Sequence, residues 1–150
     1  MKKFHFSLRP VGIVRAHQEL RAREALAASI NAYAESAELL MTARRRVGEL
    51  AEAMATGRRG RLRAADEAAF NRAYCRECAA ELEAQKRFIA ARGAMEKSRE
   101  AYMEANQRLK VVERLEQRAR AVHRLDALRA EQAEIDEIAG RRGVRRALSA

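Results

Sequence analysis

Residues 26–54 read "LAASINAYAESAELLMTARRRVGELAEAM", and their spacing decides the fold. Leu26, Ile30, Tyr33, Ala37, Leu40, Arg44, Val47, Ala51 and Met54 follow one another at intervals of four and three. A helix wound to that 3.5-residue period keeps one line of side chains against a neighbouring helix, which is the seam of a coiled coil. Only Arg44 interrupts the apolar line. Upstream, Ile13, Leu20 and Ala27 keep the heptad but lie one position out of phase, which predicts a local adjustment of the seam near Arg23 to Leu26.

Outward from this stretch, Pro10 sits where a proline is tolerated, at or just before a first helical turn, with Ser7 close enough to help start it. No proline follows, so the first long helix is expected over residues 11–55. The stretch "TGRRGRLRAAD" (56–66) holds two glycines and four arginines and reads as a connector, with Asp66 suited to cap the helix that resumes there. Phe88, Met95, Tyr102 and Leu109 then recur every seven residues. Val111, Leu115, Val122, Leu125, Leu128, Ile135 and Ile138 carry a drifting apolar stripe towards the end. Gly140 and Gly143 suit a helix C-terminus, and the arginines after Ala139 suit the negative end of its dipole.

Length constrains how these helices pair. At roughly 1.5 Å per residue, 11–55 spans about 67 Å and 66–139 about 110 Å. A hairpin turning at residue 60 leaves 111–139 without a partner, and each large aliphatic left in water forgoes roughly 1.5 to 3 kcal/mol. Matching the outer ends instead pairs residue i with about 149 minus i, the two spans being laid end against end. That register sets Leu40 by Leu109, Val47 by Tyr102 and Met54 by Met95. The expected fold is therefore all-α: an elongated antiparallel two-helix coiled coil, or helical hairpin, with short helices or a bent segment at its tip. Along this single helical domain, 11–55 forms the first helix, 56–92 the connector and tip, and 93–139 the second helix, between basic tails at 1–10 and 140–150. Continuity across Gly93 stays open.

The composition agrees. The 150 residues include one proline, seven glycines and no tryptophan, and 35% are charged, a profile of long helices rather than of a thick core. The N-terminus lacks the apolar stretch of a secretory signal, and no run of about 18 apolar residues occurs, so a cytoplasmic protein without a transmembrane segment is expected. The formal charge of +10 is not evenly spread. It collects in the two tails and in residues 41–63, where seven arginines face only Glu49 and Glu52.

No constellation supports catalysis. Asp136 and Glu137 are adjacent, so on a helix their side chains diverge by about 100 degrees and cannot share a substrate atom. Cys75 and Cys78 fall on one helix face, but zinc needs two further ligands and His5, His17 and His123 are scattered. Small packing residues of a reduced protein are the simpler reading. Arg58, Arg59, Arg61 and Arg63 form a basic connector, either a solvated tip or an electrostatic docking patch. No aromatic residues interleave with them, so no specific nucleic acid is expected as a partner. Phe70 and Tyr74, four apart, are either core of the tip or an apolar contact patch.

The two ends are the most distinctive parts of the chain. "FHFSLRPVGIVRAHQEL" (4–20) resembles the opening of the flagellar FliJ family, and "ERLEQRARAVHRLDALRAEQAEIDEIAGRR" (113–142) resembles its closing helix. The resemblance implies a two-helix coiled coil similar to a rotary ATPase stalk, working in the cytoplasmic type III export machine that builds the flagellum. It implies a non-enzymatic protein without cofactor or metal that sits in the pore of the hexameric export ATPase FliI. There it would couple the ATPase to the export gate protein FlhA and escort export chaperones, peripheral to the inner membrane. By matching pattern, Phe4, Phe6, Leu8, Ile135, Asp136 and Glu137 would face the ATPase, and Phe70 and Tyr74 the gate. Pro10 and Gly12 depart from the family's pattern and put the exact start of the first helix in question. The alternatives are the equivalent stalk of a virulence-type secretion system, or a basic coiled coil that binds nucleic acid nonspecifically.

Overall fold

A computed structural model describes residues 3–60 and 63–148, with residues 143–148 described by their helical backbone alone. Two long helices, α1 (Arg9–Arg59) and α2 (Ala64–Leu148), pack against each other as a hairpin. α1 starts when the Arg9 N–H donates to the Phe6 carbonyl (3.2 Å) and the Gly12 N–H to the Leu8 carbonyl (3.0 Å). Pro10 thus falls in the first turn, where a missing N–H costs no intrahelical bond. Gly12 does not delay the helix, since the chain is helical through it. At the far end the Gly60 N–H reaches back to the Gly57 carbonyl (3.1 Å).

The chain divides into two units, Leu20–Glu104 and the pair Met1–Glu19 with Ala105–Ala150. In the first, α1 presents Leu26, Ser29, Tyr33, Ser36, Leu40, Ala43, Val47, Leu50 and Met54 as its buried or half-buried line. On α2 the inner line runs through Phe70, Tyr74, Glu77, Glu81, Ala84, Phe88, Ala91, Met95, Ser98 and Tyr102. Both keep the three-four alternation that holds a seam against its partner. Leu40, 6% exposed, is the one buried hydrophobic residue among those described. Tyr33 packs on Phe88 with ring centroids 5.2 Å apart, Arg44 bridges Glu81 at 3.3 Å, and Arg58 bridges Glu67 at 3.3 Å across the turn. In the second unit, Phe4 meets His123, and a Cβ placed on Gly12 would lie 3.4 Å from Val112 Cγ1.

Several expectations are corrected. Each of these contacts pairs residue i with about 125 minus i, not 149 minus i, so Val47 and Met54 face neither Tyr102 nor Met95. With α1 running to Arg59 and α2 starting at Ala64, no chain is left for an inserted tip. α2 is unbroken from Ala64 through Gly93, so residues 56–92 hold no set of short helices. Asp66 lies in the first turn of α2 and does not cap it; its own N–H donates to the Arg63 carbonyl at 3.0 Å. The helix also runs on through Gly140 to Leu148, and no glycine takes a positive φ, so Gly140 is not a helix terminator.

Of the nine residues expected in the α1 seam, Leu26, Tyr33, Leu40, Val47 and Met54 lie on the inner line and Ala37 is half-buried beside it, but the alternate positions are Ser29, Ser36, Ala43 and Leu50, leaving Ile30, Arg44 and Ala51 exposed. Small polar residues suffice there because the Ser29 and Ser36 hydroxyls donate to the carbonyls of Leu26 (2.8 Å) and Tyr33 (2.7 Å) in their own helix. No buried side-chain nitrogen or oxygen among the described residues lacks a hydrogen-bond partner. The inner line of α1 also passes from Glu19 through Ala22 to Leu26 at unchanged spacing, so the seam adjusts nowhere near Arg23.

Candidate functional site

Among the described residues the depressions along the two helices are open, and the candidate features lie on surfaces. Around the start of α1, Phe4 and Phe6 are half-buried while Leu8 is exposed. The Phe4 ring meets His123 edge to face at 5.5 Å, and the Arg120 guanidinium lies over it 5.3 Å from its centroid, a cation–π contact. Arg120 is itself fixed by Glu116, through Nη2 at 2.6 Å and Nε at 3.1 Å. An open cavity of about 720 Å³ adjoins this cluster, lined by Phe4, Phe6, Pro10 and Ile13 of one segment and by Glu116 and Arg120 of α2. The partners of Phe4 were not singled out in the sequence. Their signal is the four-residue spacing of Glu116 and Arg120 followed by His123, which puts all three on one helix face.

Ile135, Asp136 and Glu137 stand elsewhere. They lie some 12 residues beyond His123 on α2, about 18 Å along the helix, so the structure does not bring them together with Phe4 and Phe6. Every described side chain from Leu128 to Arg142 is exposed. Asp136 accepts a hydrogen bond from Gln132 at 2.9 Å, and Glu137 accepts one from Arg141. The two carboxylates thus serve separate i, i+4 pairs and form no acid–base couple.

Phe70 and Tyr74 are both half-buried because they occupy successive seam positions of α2, which is the packing reading of the two alternatives expected for them. Phe70 lines a shallow depression with Leu50, Asp66, Ala69 and Ala73. Hydrogen bonding with the Cys78 sulfur, and then the negative charge of its thiolate form, push the Tyr74 phenol above its ordinary range. Cys75 is exposed and Cys78 half-buried, both as free thiols. Among the described residues no group of three or more His, Cys, Asp or Glu could hold a metal ion.

The basic connector is partly neutralised. Arg58 pairs with Glu67, Arg45 with Glu49 at 3.6 Å, and Arg44 with Glu81. Arg59 and Arg63 are exposed, and Arg61 lies outside the described residues. No helix among the described residues is long and apolar enough to cross a membrane.

Compared with known proteins, the chain matches the family model described as Flagellar FliJ protein over residues 4–148. No curated protein and no solved structure matches it.

Proposed function

This chain belongs to the flagellar FliJ protein family, whose members are non-enzymatic components of the flagellar export apparatus, and on that footing we propose that it is the stalk that docks on the export ATPase FliI and couples it to the gate protein FlhA. The observation that carries this reading is the last part of α2. From Leu128 to Arg142 every described side chain is exposed, yet Leu128, Ile135 and Ile138 are large and apolar. Aliphatic side chains spaced three and seven apart on one helix cost solvation until a second surface covers them, and a ring of ATPase subunits supplies such a surface. Glu137 and Asp136 beside them add acidic groups that orient the docking.

The same helix α2 that carries Leu128 to Arg142 also carries the half-buried pair Phe70 and Tyr74, where the gate protein would be met. Export chaperones are the third class of partner, and the site of action is the cytoplasmic face of the export apparatus. The test is binding and stimulation of the purified ATPase by the full chain and by Ile135→Asp with Ile138→Asp. Loss of stimulation with unchanged helix content is the expected outcome. Undiminished stimulation refutes the docking assignment, whereas Phe70→Ala with Tyr74→Ala is expected to spare the ATPase and weaken only the gate contact.

A further inference from the structure

The unit Leu20–Glu104 carries a second heptad line that its own hairpin leaves uncovered. One residue after the α1 seam come Leu20, Ala27, Ile30, Ala34, Ala37 and Met41, at steps of seven, three, four, three and four. Leu20, Ile30 and Met41 are exposed, Met41 to 71%. On α2 the corresponding positions hold Cys78, Leu82, Ile89 and Met103, of which the last three are exposed, Ile89 to 60%. The two lines meet along one side of the hairpin, in a groove floored by Leu40 and Phe88 and walled by Ala37, Met41, Gln85 and Ile89.

From this placement we infer that the groove between α1 and α2 within Leu20–Glu104 is a docking site for an amphipathic α-helix of another protein, one with apolar heptads and acidic flanks. The three-four spacing specifies a helix, because only a helix wound to 3.5 residues per turn stays over such a line. Ala27, Ala34 and Ala37 between the larger residues let its backbone come close, as small residues do at tight helix contacts. The charge specifies acidity. Arg23, Arg44, Arg92 and Arg99 fall on this face against Glu81 and Glu96. Arg44 and Arg92 are themselves exposed, and their pairs, to the half-buried Glu81 at 3.3 Å and the exposed Glu96 at 3.1 Å, exchange for an incoming carboxylate at little cost. The same arginines disfavour a second copy of this chain, since apposing the face with itself sets guanidinium against guanidinium.

This inference stands apart from the ATPase docking, which uses the other unit. The test titrates the full chain into two labelled helical peptides about three heptads long, with identical leucine and alanine seams and either glutamate or lysine flanks. Binding of the glutamate peptide about tenfold tighter than the lysine peptide is expected. Met41→Glu and Ile89→Glu, both at exposed positions that leave the fold intact by circular dichroism, should each weaken it about tenfold, while Leu128→Glu should not. Equal affinity for both peptides, or equal loss in Leu128→Glu, overturns the inference. So does sedimentation showing a dimer of the chain that Met41→Glu dissolves.

Discussion

Gly93 lies within α2 with open space where a side chain would begin, no atom beyond its chain neighbours and the helix's own nearby backbone lying within 4 Å of that point. A helix interior glycine loses more backbone freedom on folding than alanine does, so Gly93→Ala should stabilise the protein by about 0.5 to 1 kcal/mol, read as a raised urea midpoint at unchanged slope. Leu40 behaves oppositely. As the one buried hydrophobic residue among those described, its truncation to alanine should cost about 2 to 3 kcal/mol, near the low end for core leucines because a two-helix seam collapses easily around a gap. Glu83 gives a pH effect of known sign. Its hydrogen bond from Lys86 at 2.8 Å, with the lysine's charge, holds the carboxyl below its ordinary value. A depressed carboxyl contributes stability above the unfolded-state value and loses it as pH falls through the folded one. The contribution is small at this exposed position, and Lys86→Met should return the Glu83 carboxyl titration, followed by NMR, to the ordinary range.

Among the elements, α2 shows most clearly what pattern reading sees and what it misses. Phe88, Met95, Tyr102 and Leu109 were legible as a seam because large residues mark every seventh position, and all four are half-buried. The alternate seam positions, such as Ala84, Ala91 and Ser98, carry no such mark, since small residues serve a seam and a surface equally well. On α1 the same ambiguity drew Ile30 and Ala37 into the seam, although Ser29 and Ser36 occupy it. Two adjacent heptad lines share Leu26, Tyr33 and Leu40 as neighbours, and spacing alone does not say which line the partner helix covers. The register is directly measurable. Spin labels at Met54 and Phe70 should lie close across the hairpin, whereas labels at Phe70 and Met95 should be separated by about 37 Å of helix, which places Met54 far from Met95. A short distance between Met54 and Met95 would restore the register in which the outer ends are matched.

For the whole molecule, a formal charge of +10 predicts weak nonspecific attraction to nucleic acid that falls steeply with salt. Titration with duplex DNA at two ionic strengths should show that attraction vanish at the higher one, because Arg44, Arg45 and Arg58 are already paired with Glu81, Glu49 and Glu67. The amino-acid pattern by itself determined that the chain folds as two long antiparallel helices and that it carries the family's terminal signatures, since periodicity and local letters are properties of the chain as written, but it argued against a hairpin turning near residue 60. Only the tertiary structure decided the register, the seam actually used, and the separation of Phe4 from Asp136 along α2. Those depend on which of several similar faces a second helix covers, and in the fold adopted α2 begins five residues after Arg59 at the expense of leaving Val122, Leu125, Leu128, Ile135 and Ile138 exposed.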